Sequence, residues 1–163
     1  MVQAKAKRDE LLAPLSAVSG IIERRHTLPI LSNVLLERNG DALAFLATDI
    51  EIQIAARSAV KSPADARSIT VGARKLLDIL RALPDGSEVT LQQQDKRLQI
   101  KAGKSRFALQ TLPAEDFPRL SRPAGEVARF TLAQSALRRL LGLVQYSMAQ
   151  QDIRYYLNGL LMV

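Results

Sequence analysis

The chain of 163 residues has room for one ordinary domain, or for one domain and part of another. An apolar content of 47% with only 4% aromatics can fill a core with Leu, Ile, Val and Ala, no apolar run reaches the ~18 residues of a membrane span, and the lack of cysteine excludes disulfides, thiolate metal sites and a cysteine nucleophile. A net charge of +7 and a pI of about 10.1 favour a polyanionic partner such as nucleic acid, although Lys and Arg are scattered rather than gathered into a basic arm.

Met1 to Arg8 is basic but precedes no apolar core of a signal peptide, so a cytoplasmic protein is expected. Gln3 to Lys7 alternates loosely. Arg8 to Ile22 then spaces Leu11, Leu15, Val18 and Ile22 by four, three and four residues, which makes one apolar helical stripe. Asp9 and Glu10 suit the first turn of that helix, and Pro14 should fall in its first turn or kink it. Strands are expected over Ile30 to Arg38 and Ala42 to Thr48, around the hairpin dipeptide Asn39-Gly40, and over Glu51 to Ser58. After the loop Ser62-Pro63-Ala64-Asp65 come a short strand, Ile69 to Val71, and a helix, Ala73 to Leu83, stopped by Pro84-Asp85-Gly86. Glu88 to Gln92, Arg97 to Ala102 and Arg106 to Leu112 read as three more strands. Pro113 to Gly125, with prolines at 113, 118 and 123, reads as a linker. Beyond it Arg129 to Leu132 is expected as a strand, Gln134 to Met148 as a helix and Arg154 to Val163 as a strand. The sequence ends inside an apolar run, so truncation is expected, because some 40 residues bury too little surface to fold alone.

The chain also resembles itself. At an offset of 126 residues Leu11, Leu15 and Val18 meet Leu137, Leu141 and Val144; Ile22 meets Met148, Leu31 and Leu35 meet Leu157 and Leu161, and Val34 meets Leu160. A fainter echo at 65 residues sets Leu11, Leu12, Leu15 and Val18 on Leu76, Leu77, Leu80 and Leu83. Repetition of this kind implies stacked units with similar contacts. The fold class is therefore α+β, each half an amphipathic helix packed on antiparallel strands, with successive modules forming an arc. Helices inside such an arc would offer Arg74, Lys75 and Arg81, and later Arg138 and Arg139, to a duplex. The alternative for each is an ordinary solvated charge.

Six segments, in order, resemble the bacterial DNA polymerase III beta subunit, the beta sliding clamp family. They are Arg25-His26-Thr27-Leu28-Pro29-Ile30-Leu31, Ala47-Thr48-Asp49-Ile50-Glu51, Ala73-Arg74-Lys75-Leu76-Leu77-Asp78-Ile79, Gly103-Lys104-Ser105-Arg106-Phe107, Thr111-Leu112-Pro113-Ala114-Glu115-Asp116-Phe117-Pro118, and the run from Tyr146 to Gly159. The resemblance implies a DNA-clamp fold, with antiparallel sheets outside and paired helices inside, in a protomer of three domains. Two protomers would join head to tail as a ring around duplex DNA and tether the replicative polymerase. Residues 1–123 would be the first clamp domain, and 124–163 a linker with the truncated start of the second. Neither cofactor nor metal is implied, and no enzymatic activity.

Residue by residue, the resemblance makes Arg25 a phosphate contact and Gln151, Tyr155 and Tyr156 parts of a loop reaching toward template, where amides bond and rings stack. Arg25 falls opposite Gln151 in the 126-residue offset. Leu157 corresponds to one wall of a pocket for peptide motifs of polymerases, the clamp loader and repair proteins; from its surroundings alone it is a core strand residue. Phe107 and Leu109 correspond to the apolar part of the ring interface, with Lys75, Lys104 and Arg106 as nearby cations. Alternation sets Phe107 and Leu109 on one strand face, which suits the domain's own core equally well. His26, the single histidine, stands where proline is common in the family.

Catalytic signatures are missing. Gly103-Lys104-Ser105 ends like a phosphate-binding loop, but Leu98 occupies the place of the required glycine and no helix follows. Glu115 and Asp116 lack a suggested partner, and no nucleophile elbow is present. The rivals to a DNA-tethering scaffold are a basic adaptor that binds proteins through a sheet edge or the Phe107 strand, and an accessory domain of a nuclease or hydrolase.

Overall fold

Strand β1 (Val2–Lys7) runs directly into helix α1 (Arg8–Val18), and the same step recurs as β5 (Ile69–Gly72) into α2 (Ala73–Ala82). The computed structural model describes residues 2–22, 28–39, 42–61, 66–120, 130–150 and 152–162. It divides into two compact units, Met1–Ser121 and Arg122–Val163.

In the first unit each helix is followed by three strands: β2 (Asn33–Asn39), β3 (Ala42–Thr48) and β4 (Gln53–Lys61) after α1, then β6 (Glu88–Gln94), β7 (Arg97–Ala102) and β8 (Ser105–Pro113) after α2. The two halves exchange their leading strands. β1 pairs with β6, and β5 pairs with β2, so one antiparallel sheet of eight strands forms in the order β1-β6-β7-β8-β5-β2-β3-β4. The join between halves is short, with Ile69, Thr70 and Val71 of β5 opposite Pro113, Leu112 and Thr111 of β8. A buried relay crosses it: Asn33 Nδ2 donates to Thr70 Oγ1 at 3.0 Å, and that hydroxyl donates to the Leu112 carbonyl at 3.1 Å. Buried polar groups are stable only when paired in this way.

Both helices enter one core. Leu11, Leu15 and Val18 of α1 and Leu76, Leu77 and Leu80 of α2 pack with Val34, Leu36, Phe45, Val71, Leu91, Leu98 and Ile100 from the strands. α1 starts with the Lys7 amide donating to Glu10 Oε2 at 2.8 Å, which satisfies one orphan donor of the first turn.

Several boundaries differ from expectation. The first helix ends at Val18 and passes into a 3₁₀ turn, Ser19–Ile21, closed by Ile22 N donating to the Ser19 carbonyl. Pro14 lies inside α1, not in its first turn, with its ring on the buried face; it removes one helix donor but adds apolar contact. The strand expected from Ile30 begins only at Asn33, because Pro29–Ser32 form another 3₁₀ turn with the proline at its start. The third strand starts at Gln53 rather than Glu51, since residues 48–52 form a tight turn. There Thr48 Oγ1 donates to the Ile52 carbonyl at 2.7 Å, and Asp49 Oδ1 accepts from Glu51 N and Ile52 N. Ile50 sits in that turn at φ 82°, a conformation costly for a β-branched residue. The expected linker is partly structure: Pro113 closes β8, Phe117 is buried with Leu35 and Leu46, and Arg119 pairs with Glu37 at 2.6 Å.

The second unit contains α3 (Gln134–Val144) and 3₁₀ turns at Gln145–Ser147 and Tyr155–Asn158. Neither expected strand forms among its described residues: 130–133 are irregular, and the segment from Arg154 holds the second 3₁₀ turn and then irregular chain. A strand requires a neighbour to complete its ladder, and none is available to these segments among the described residues. What does recur is the 126-residue register. α1 and α3, Ser19–Ile21 and Gln145–Ser147, and Pro29–Ser32 and Tyr155–Asn158 coincide end to end.

Candidate nucleic-acid interface

The apolar stripe of α2 points inward and leaves Arg74, Lys75, Asp78 and Arg81 exposed. Arg74, Asp78 and Arg81 are four and three residues apart and form one ridge, with Lys75 beside it. None of these three cations forms an ion pair with a described residue, so their charge is directed to solvent. Ser19, Ile22 and Leu77 join the ridge around a groove of about 210 Å³ between α1's end and α2. The arrangement suits phosphate contacts: separated, flexible, fully charged donors on a rigid helix.

On α3, Arg138 and Arg139 are both exposed. The repeat register distinguishes them. Arg139 corresponds to Ala13 on the open face of α1, whereas Arg138 corresponds to half-buried Leu12. Arg139 is thus the better match to an outward-facing cation, a distinction visible only when the α1 burial pattern is known.

Arg25 and Gln151 lie outside the described residues, as does His26. Tyr155 and Tyr156 are adjacent, 83% and 68% exposed, with ring centroids 6.0 Å apart and planes at 78°. They form an edge-to-face pair with open faces rather than a packed internal pair. The loop beneath them is closed by hydrogen bonds: Ala149 N donates to the Leu157 carbonyl at 2.9 Å, and Leu157 N to the Arg154 carbonyl at 2.9 Å. Asp152 pairs with Arg154, whose guanidinium and backbone N–H hold its carboxyl below the ordinary carboxylate range. Leu157 is half-buried in the 3₁₀ turn, and is not the core strand residue its apolar surroundings suggested.

Phe107 and Leu109 share one face of β8 and are half-buried against the main core, opposite Ile100 and Leu98 in register. The alternation therefore packs both residues internally, as the core reading expects, and leaves part of each exposed. Lys104, in the turn before β8, and Arg106, next to Phe107 and opposite Lys101, are exposed, and Gly103 takes φ 55° in that turn. Lys75 joins Leu109 instead, around a groove of about 570 Å³ also lined by Ile22, Pro29 and Leu112. β8 pairs with β7 over Ser105–Gln110 but with β5 only from Thr111, so the other edge of its first half is unpaired among the described residues.

Among the described residues no group of three His, Asp or Glu gathers to hold a metal, and no helix is long and apolar enough to cross a membrane. The unusual Ile50 turn had no signal in the sequence pattern, since only Gly, Asn or Asp advertises a positive φ.

Residues 2–121 match the family model of the DNA polymerase III beta subunit, N-terminal domain. The beta sliding clamps of Pseudomonas aeruginosa and Escherichia coli K12 are each 47% identical to this chain, over 156 and 155 residues. These alignments cover 96% and 95% of this chain and 42% of each relative. Among solved structures, the DNA polymerase III subunit beta of Pseudomonas aeruginosa is similar at a TM-score of 0.89 and 46% identity, and Caulobacter crescentus pol III beta at 0.88 and 41%. Each covers 96% of this chain, which spans 42% of theirs. The chain thus spans less than half the length of the relatives it matches.

Proposed function

The chain belongs to the DNA polymerase III beta subunit family, and from that premise we propose that it forms part of a DNA sliding clamp, a non-catalytic cytoplasmic scaffold. Such a clamp encircles duplex DNA and tethers the replicative polymerase to its template. The observation that carries this reading is the recurrence of one module, helix and two 3₁₀ turns in the same register, along a chain of this family. Repeated modules stack through repeated contacts, and an arc of them is the simplest route to a ring.

Within this reading Arg74, Arg81, Arg138 and Arg139, together with Arg25, bind phosphates by charge and without sequence preference, as a sliding protein requires. Gln151, Tyr155 and Tyr156 meet exposed bases or backbone at a junction with single-stranded template. Phe107 and Leu109, flanked by Lys75, Lys104 and Arg106, form one side of the joint with a second protomer, and the unpaired β8 edge extends that joint by strand addition. Leu157 contributes to a pocket for peptides of polymerases, the clamp loader and repair proteins.

The test uses the complete protein that contains this chain. Once loaded, it should remain on closed circular duplex and run off when the circle is cut. Equal retention on circular and linear DNA contradicts encirclement and favours the adaptor reading, in which the β8 edge binds protein alone.

A further inference from the structure

The 3₁₀ turn that precedes β2 and the turn that carries the tyrosines are the same turn in two copies. Leu31 N donates to the Leu28 carbonyl at 3.1 Å in one, and Leu157 N to the Arg154 carbonyl at 2.9 Å in the other. In the first copy Pro29 opens the turn, and its ring fixes the backbone angle there. In the second, Tyr155 stands at that position, so the covalent lock is gone.

A side chain takes its place. Asn158 Oδ1 accepts from Asp152 N at 3.0 Å, and Asn158 Nδ2 donates to the Asp152 carbonyl at 2.9 Å. One amide thus satisfies both backbone groups of Asp152, as a neighbouring strand would, and closes the loop from Asp152 to Asn158 that contains both tyrosines. Asp152 and Asn158 are half-buried beneath the loop while the two rings stand outside it. The Asp152 carboxylate reinforces the bracket by accepting from Arg154 N at 2.8 Å and from its guanidinium at 3.0 and 3.1 Å.

We propose that Asn158 is a positioning residue for nucleic-acid contact: it replaces the proline lock of the first copy and holds Tyr155 and Tyr156 ready to stack on unpaired bases. The role rests on the stacking reading of those tyrosines. Ordering a loop at the moment of binding costs affinity, and a loop already ordered avoids that cost. Proline at 155 would stiffen the turn but remove a ring. Asparagine at 158 stiffens it from below and leaves both positions open to aromatics.

The experiment compares Asn158→Ala, Asn158→Asp and the double variant Tyr155→Ala/Tyr156→Ala in the complete protein containing this chain. Amide exchange at Asp152 and Leu157 is read beside binding to a primer–template with a single-stranded overhang and to a blunt duplex. Asn158→Ala should speed exchange at both amides about tenfold, leave the α3 amides unchanged, and weaken overhang binding about five- to tenfold with blunt-duplex binding unaltered. Asn158→Asp keeps the acceptor for the Asp152 amide and loses the donor, so it should fall between Ala and the parent. Unchanged exchange in Asn158→Ala overturns the proposal. So does faster exchange with undiminished overhang binding, when the tyrosine double variant does lose affinity. If the double variant binds like the parent, the stacking reading itself falls, and this role of Asn158 falls with it.

Discussion

Arg8 is the first residue of α1, yet its guanidinium serves the far end of the other helix. Its Nε donates to the Leu80 carbonyl at 2.9 Å, an acceptor left over where α2 ends, and its Nη1 donates to Asp9 and Asp85. Its side chain is only 13% exposed, whereas that of Asp85 is open to solvent, so the carbonyl bond and the packing of the stem outweigh the surface ion pair. Arg8→Ala should lower the stability of the first unit by about 1–3 kcal/mol, and Asp85→Ala by less than about 1 kcal/mol, in urea denaturation. Equal losses would assign the effect to the ion pair. Asp152 carries a prediction in pH. Its bonds from Arg154 lower its pKa in the folded loop, so their contribution is present above the ordinary value of 3.8 and fades as pH falls through the lowered one. The Arg154 Nε–H resonance followed downward in pH should therefore titrate with a midpoint below 3.8. A midpoint at or above that value would remove the Asp152 carboxylate, though not its backbone, from the bracket. At this scale the sequence was partly legible. The cations of α2 were visible by type and spacing and the tyrosine pair through the family resemblance, but the Asn158 bracket and the left-handed Ile50 were not, since each depends on a local geometry that residue type does not announce.

Helix α2 shows what a single element can state in advance and what it cannot. Leu76, Leu77 and Leu80 repeat with helical period, so the buried face was legible, and Arg74 and Arg81 had to fall on the other side. Their use is a matter of charge, and charge has a salt signature. Removing one cation that binds a phosphate should reduce the slope of log affinity against log salt by about one, without regard to DNA sequence. Arg74→Ala combined with Arg81→Ala should therefore flatten the slope of duplex binding in the complete protein by up to about two units and leave its thermal stability unchanged. An unaltered slope would return both residues to the class of solvated surface charge. Strands are less legible than helices for a physical reason. α2 makes its own hydrogen bonds, whereas β8 is defined by β7 and β5 beside it, and the strand expected from Arg154 has no such neighbour among the described residues.

Across the whole molecule the same apolar stripe, Leu11, Leu15 and Val18 in one copy, exists in two environments. Leu15 of α1 is fully buried, surrounded by α2 and the strands of its own unit. Leu141, its counterpart in the 126-residue register on α3, is 38% exposed, and no residue of α3 is buried. The spacing of the stripe is the same in both helices, while the packing that turns an apolar stripe into stability is not. Most helix stability in a folded protein comes from that packing rather than from intrinsic propensity. Truncating Leu15 strips packing from every side and leaves a cavity, which costs about 2–5 kcal/mol. Truncating Leu141 removes surface already partly in water, and in this 163-residue chain should cost less than about 0.5 kcal/mol. Chemical denaturation of Leu15→Ala and Leu141→Ala side by side measures the difference directly. A comparable loss at Leu141 would mean that α3 is packed in solution as α1 is, and that the second unit completes its core by packing other than that within Arg122–Val163.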